Sequence, residues 1–433
     1  MRLSLRSIAL AMVATCVPAC KQRYTSPCTV SAAVAIEVAG ADAQVRDAGV
    51  LGGPAFALVD APSGEIVAVR QVLAPVPDAG APDAAVLGAQ LGSTPIPAAV
   101  EVVVVDRAGA ARRSKLAAPA ALAARRGSTT TIGAVWTGAG VVWHWVETTT
   151  TTAPDGVVDT TSALHFVFVG EDGHESRAVA PNTTCAGCTF AVSVATTATG
   201  ALALYDGVAT LPPAGPSVAA HAPSFVAFSR DGTIADSGSA SWLGAGGAAR
   251  LRSAGDRTIV IRGTAIWSVD DRAQPIAGPV RLPFPVGVAA WWGNGGDIAF
   301  AWPNVAAAPL SGAQEAAEPA LGGTSVGAET DILLERGNDR GVVDGVARVT
   351  TGGSAQDITR DAEGTYGILT SSLDGDVFVL VDAGGHKLGG DVAVGGETAS
   401  VGNHVLRAPS PRTFVDVRAS GSSLTRREIT CAR

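Results

Sequence analysis

The sequence predicts an all-β chain: a single β-propeller of about seven blades (six to eight), following a cleaved signal peptide. Three observations carry this. Short apolar or alternating runs recur along the chain, each closed by Asp, Gly or Ser turn residues. Their spacing centres near 40 residues, the period of a unit that holds several strands. Long amphipathic helical patterns are missing, which excludes a parallel α/β sheet, because such a sheet needs helices on both faces. The one modest helical stretch, Ala117 to Arg126, is interrupted by Pro119.

Read in order, Met1-Arg-Leu-Ser-Leu-Arg6 carries two positive charges and no acid. Ser7 to Val17 is apolar but too short for a permanent span, which needs about 20 residues. This is the pattern of a secretory signal peptide. Its end, Val17-Pro18-Ala19-Cys20, resembles the lipobox of bacterial lipoproteins. The resemblance implies that Cys20 becomes the first mature residue and carries lipid. It also implies export to the cell envelope and attachment to a membrane, with Lys21 in place of Asp pointing to the outer one. The implied organisation is a lipoprotein signal peptide over 1–19, a short tether over 20–29 and the propeller over 30–433.

There are six cysteines: 16, 20, 28, 185, 188 and 431. Cleavage before a lipidated Cys20 leaves four thiols in an oxidising compartment, and four allow three pairings. Cys185-Ala-Gly-Cys188 are neighbours and most simply pair around a turn, which pairs Cys28 with Cys431 and clasps the ring at its seam. Two other readings of Cys185 and Cys188 stand beside this. A redox motif wants a thioredoxin-like βαβ context, and a zinc site wants four ligands, usually two such pairs.

The strand-turn phrases then follow one another. Phe56 to Asp60 turns at Ala-Pro-Ser-Gly64 into Glu65 to Val69; Val102 to Asp106 closes on Gly109; Leu164 to Val169 closes on Gly173. Phe225 to Ser229 closes on Gly232, Ala265 to Asp270 on Asp-Arg-Ala, Val377 to Asp382 on Gly385, and Thr413 to Val417 on Arg-Ala-Ser-Gly421. Asp bonds its own backbone at a turn and Gly supplies positive φ. From anchor to anchor, Phe56 to Val102 is 46 residues, Phe166 to Phe225 is 59 and Phe225 to Ile266 is 41. Thr131 to Trp136 and Val141 to Val146, joined by Thr-Gly-Ala-Gly140, form a tight hairpin. Ala74 to Ala99 and Glu147 to Gly156 read as surface loops. Ser224-Phe-Val-Ala-Phe-Ser-Arg-Asp-Gly-Thr-Ile234 is similar to the F-S-x-D-G-x-x-I repeat of TolB-like and WD40-like propellers, a resemblance that bears on architecture alone. The Ser-x-Asp-x-Gly-x-Thr-Trp box of sialidase-type propellers is missing.

Composition narrows the chemistry. Net charge is −8, which argues against nucleic acid as a partner. Gly323-Thr-Ser-Val-Gly327 matches G-x-S-x-G, but a nucleophile elbow at Ser325 needs a buried strand just before it, and Glu318-Pro-Ala-Leu-Gly stands there. The six histidines (144, 165, 174, 221, 386 and 404) show no H-x-H or H-x-x-x-H spacing, so no local metal site is expected. Glu171-Asp172, Asp270-Asp271 and Asp374-Gly-Asp376 read as turn formers. Trp136, Trp143, Trp145, Trp291, Trp292 and Trp302 read as packing between blades; where exposed they would instead make a stacking surface for sugars or peptides. No catalytic residue and no cofactor is assigned. The expectation is an envelope lipoprotein whose propeller binds a protein, peptide or glycan. The alternatives are a propeller hydrolase or lyase with its site in the central channel, and a structural envelope component.

Overall fold

The computed structural model describes residues 27–36, 57–73, 96–106, 109–124, 129–152, 158–209, 223–244, 249–281, 289–303, 330–338, 340, 343–352, 354–372, 375–395, 404–420 and 423–432. The expected signal peptide over 1–19, the expected lipidation site Cys20, and His221 and Ser325 lie outside them.

The chain opens on β1 (Cys28–Val30) and β2 (Val34–Ala35). Antiparallel sheets follow in sequence order. Blade 1 is β3 (Ala57–Asp60), β4 (Ile66–Leu73), β5 (Pro97–Val105) and β6 (Ala111–Ala117). Blade 2 is β7 (Thr129–Trp136), β8 (Gly140–Thr152), β9 (Val158–Gly170) and β10 (Glu175–Ala178), with β11 (Thr184–Ala186) also on β9. Blade 3 is β12 (Cys188–Thr196), β13 (Gly200–Ala209), β14 (Ser224–Ser229) and β15 (Ile234–Ser239). Blade 4 is β16 (Arg250–Ala254), β17 (Arg257–Arg262), β18 (Ala265–Val269) and β19 (Pro275–Arg281). Blade 5 is β20 (Ala289–Trp292), β21 (Asp297–Pro303), β22 (Thr330–Asn338) and β23 (Val343–Gly352). Blade 6 is β24 (Ser354–Arg360), β25 (Tyr366–Ser372), β26 (Gly375–Val381) and β27 (Val392–Ala393). Blade 7 is β28 (His404–Ser410), β29 (Thr413–Ser420) and β30 (Ser423–Cys431), completed on its outer edge by β1 and β2.

Burial closes these sheets into a ring. Among the described residues there are seven hydrophobic clusters, one between each pair of neighbouring blades, and the last joins blade 7 to blade 1. First strands of successive blades touch (β12 with β16, β20 with β24, β24 with β28, β28 with β3), which sets them around the axis. The molecule is therefore a β-propeller. Tryptophan fills its wedges. Trp136, Trp143 and Trp145 are buried between blades 1 and 2, and Trp292 and Trp302 between blades 4 and 5. An indole supplies the volume that the small Val and Ala side chains opposite it leave unfilled, and removing one would cost about 3–5 kcal/mol.

The turn chemistry has one recurrent form. At Ala61, Asp106, Gly170, Ser229, Asp270, Gly293, Asp361 and Asp382, the carbonyl accepts from the N–H three residues on, and the N–H donates to the carbonyl four residues on. The fourth residue of each turn is left-handed and is glycine everywhere but Ala273, which takes φ 59°. This is a type I turn followed by a G1 bulge. All eight join first to second or third to fourth strands, so they share one end of the ring, the turn end. The connections 74–96, 210–223 and 304–329 leave from the other, the connection end.

Several expectations are corrected. Glu147 to Thr152 is not a loop: β8 runs through it, paired to Thr152↔Val158, because β-branched Thr suits an extended chain and Thr148 bonds Ser162 across the strands at 3.1 Å. Arg418-Ala-Ser is strand, not turn, paired to Ser420↔Ser423. Residues 28 and 29, read as tether, belong to β1. The stretch 117–126 yields one helical turn, α1 (Ala120–Ala123), begun after Pro119. The anchor spacing mixes strands: Phe56 precedes β3, a first strand, whereas Val102 lies in β5 of the same blade.

Candidate functional site

At the turn end of the axis lies a cavity of about 440 Å³ whose walls come from blades 1, 4, 5, 6 and 7. The last residues of the inner strands shape it. Arg407 ends the regular part of β28 and reaches blade 1. Its Nε donates to Asp60 Oδ1 at 2.7 Å, its Nη2 to the same carboxylate and to the Glu65 carbonyl at 2.5 Å, and its Nη1 to the Gly64 carbonyl. Arg360, at the end of β24, repeats this one blade earlier. It donates from Nη1 to Asp297 Oδ2 at 2.6 Å, and its guanidinium lies 5.4 Å from the ring centres of both Trp291 and Tyr366. A planar guanidinium suits both tasks, forked bonding and stacking. These two arginines bolt blade 7 to 1 and blade 6 to 5.

Two other lining charges sit differently. Arg426 has a 41% exposed side chain and its ion partner Glu428 is 3.8 Å away. It lies against Gly109, where a Cβ would meet its Nη1 at 2.8 Å, so the glycine leaves room for it. Asp256 is exposed on the turn between β16 and β17. The half-buried Trp291 is cradled between Gly255 and Gly293, either of which would strike the indole at 2.7 or 2.5 Å with a Cβ.

Deeper on β24, Asp357 accepts from the backbone N–H of Leu406 at 2.6 Å and of Ile358 at 2.8 Å. Burial first, with the charges of Asp60 and Asp416 adding to it, pushes its carboxyl up to about 7. Arg252 on β16 feels that carboxylate, although burial is the larger influence and lowers the guanidinium.

A second cluster joins blades 6 and 7. Arg418 donates to Asp376 Oδ2 at 2.7 Å and to Asp416 Oδ2 at 2.5 Å. His404 faces both carboxylates, Asp416 at 3.3 Å and Asp376 at 3.6 Å. The Asp376 carboxyl is raised by burial despite Arg418. Asp416, whose burial also favours the neutral form, is nevertheless held down by His404 and Arg418. Asp376 is thus part of a buried charge network, not the turn former expected of it.

Cys28 stands opposite Cys431 in the β1–β30 register, and the two are joined. Cys185 and Cys188 are joined around Gly187, tying β11 to the start of β12. Among the described residues no three His, Cys, Asp or Glu side chains converge as a metal site, and no helix is long and apolar enough to cross a membrane. His144 is buried beside Phe166, on the opposite face of β8 from Trp143 and Trp145, and burial lowers it to about 4. Asp172, Asp270 and Asp382 cap turns through Oδ1. The sequence reading missed Asp60, Arg360 and Arg407. Their one signal is position: Asp60 and Arg360 end inner strands, and Arg407 ends the regular part of one.

No family model matches the chain, and no curated protein matches it. Among solved structures it is similar to a protein of unknown function from Bacteroides caccae, with 9% identity over 67% of this chain and 90% of that one and a TM-score of 0.28. It is similar to a mutant NanB sialidase from Streptococcus pneumoniae, with 6% identity over 87% and 68% and a TM-score of 0.37. It is also similar to the hemagglutinin-neuraminidase of parainfluenza virus 5, with 10% identity over 86% and 96% and a TM-score of 0.32.

Proposed function

We propose that this chain is an exported, lipid-anchored propeller that binds a protein, peptide or glycan ligand at the turn-end cavity. The lipobox-like Cys20 supports the anchor. The cavity supports the binding role: carboxylates, guanidiniums and an indole from five blades meet around about 440 Å³. Small-ligand sites are concave and carry a few convergent polar groups. Walls of both charge signs suit a ligand rich in hydroxyls or carrying both charges, as peptides and sugars do. The innermost charged groups are already engaged: Asp357 by two backbone amides, Arg407 by Asp60, Arg360 by Asp297. That favours binding over a hydrolase or lyase reading.

The test is peptide and glycan array binding with the wild type and with the double variant Arg426→Ala, Asp256→Asn. Those two side chains face the cavity from its exposed rim and hold no blades together. Array hits are expected to weaken by about tenfold or more, the loss of one charge-assisted hydrogen bond of roughly 1.5–3 kcal/mol. Equal binding by the variant, or no hit for the wild type, contradicts the reading.

A further inference from the structure

We propose that the cavity end of the ring faces the membrane; this rests on the anchor at Cys20 proposed above. The argument is topological. β30 starts beyond the 421–422 connection and ends with Cys431 at the turn end. β1 is antiparallel to it, with Cys28 opposite Cys431, and β2 continues the same way, with Val34 opposite Arg426. The chain therefore joins the ring at the turn end and runs from there toward the connection end. Ala432 N–H donates to the Pro27 carbonyl at 2.8 Å, and the Cys28–Cys431 bond holds the same point.

Length argues against the opposite orientation. From Cys20 to Pro27 there are seven Cα steps, at most about 25 Å fully extended. The inner strands β24 and β28 are seven residues each, about 23 Å tall. For the connection end to face the membrane, the tether would have to run the full height of the ring, using nearly all its reach. With the turn end toward the bilayer it has slack. The gap above the bilayer is then bounded at about 25 Å, so a ligand enters the cavity sideways from the membrane surface.

Energy transfer reads this out. The protein extracted with its native anchor is placed in phosphatidylcholine vesicles doped with a headgroup acceptor. Donor dyes sit on single variants: Asn294→Cys and Arg272→Cys, exposed on turns of blades 5 and 4, and Thr151→Cys, exposed on β8 beyond the connection end. Transfer is expected to be several-fold stronger from positions 294 and 272 than from 151. Equal or stronger transfer from position 151 overturns the orientation. Mass spectrometry of the same sample separates the two claims. An acylated chain with reversed transfer sinks the orientation alone, whereas a chain without acyl groups sinks both.

Discussion

Asp357 carries a consequence that can be read in solution. Its carboxyl is held at about 7 in the folded ring against 3.8 for the free group. Between those values the folded protein keeps a proton that the unfolded chain releases. Its contribution to stability is thus fully present below about pH 4 and is lost as pH rises through 7. Asp357→Asn removes the titration. On going from about pH 5 to about pH 8, urea unfolding should show the wild type losing more stability than the variant. Parallel curves would mean that the carboxyl is not desolvated between the inner strands. Neither this residue nor the buried His404–Asp376–Asp416–Arg418 network was legible in the sequence. Asp374-Gly-Asp376 has the composition of a turn, and only Arg418, 42 residues on, reveals Asp376 as a buried partner.

At the scale of the element, the turns were the most legible feature because their chemistry is local. Asp or Ser opens five of the eight turns, glycine takes the left-handed position in all but the one at Ala273, and every such phrase predicted at a third-to-fourth-strand turn or at Gly64 is present. What local chemistry does not reveal is which strand a phrase belongs to. First and third strands share the same pattern, so spacing counted across them mixed within-blade and between-blade distances. The polythreonine run failed for another reason. Its low complexity reads as loop, yet cross-strand pairing with Val158 to Ser162 makes it the far half of β8. Two turn glycines separate backbone from packing. Gly232 (φ +78°) lies under Phe168 of blade 2, where a Cβ would sit 2.0 Å from the ring, whereas Gly173 (φ +82°) has nothing within 4 Å. Gly173→Ala should cost roughly 1–2 kcal/mol for the left-handed backbone. Gly232→Ala should cost about 1–3 kcal/mol more, from overpacking between blades 2 and 3. Equal melting temperatures for the two variants would contradict the packing of that turn against Phe168.

At the scale of the whole molecule, the two ends of the ring do different work. One is built of short, hydrogen-bonded turns around a charged cavity, and at the other second strands pass to third and one blade passes to the next. The ring has no free seam, because β1 supplies the outer strand of blade 7 and Cys28–Cys431 locks it there. In the chain-entropy model, closing so long a loop contributes roughly 4 kcal/mol or more. In the proposed reading this seam is tied to export: the residues that close the blade follow on the segment that would carry the anchor at Cys20. Intact mass spectrometry of the membrane-extracted protein, without reductant, tests that most directly. The predicted mass is that of residues 20–433 plus acyl chains, less two hydrogens for each of the Cys28–Cys431 and Cys185–Cys188 bonds. A chain that retains residues 1–19, lacks acyl groups or keeps its cysteines as thiols would contradict it.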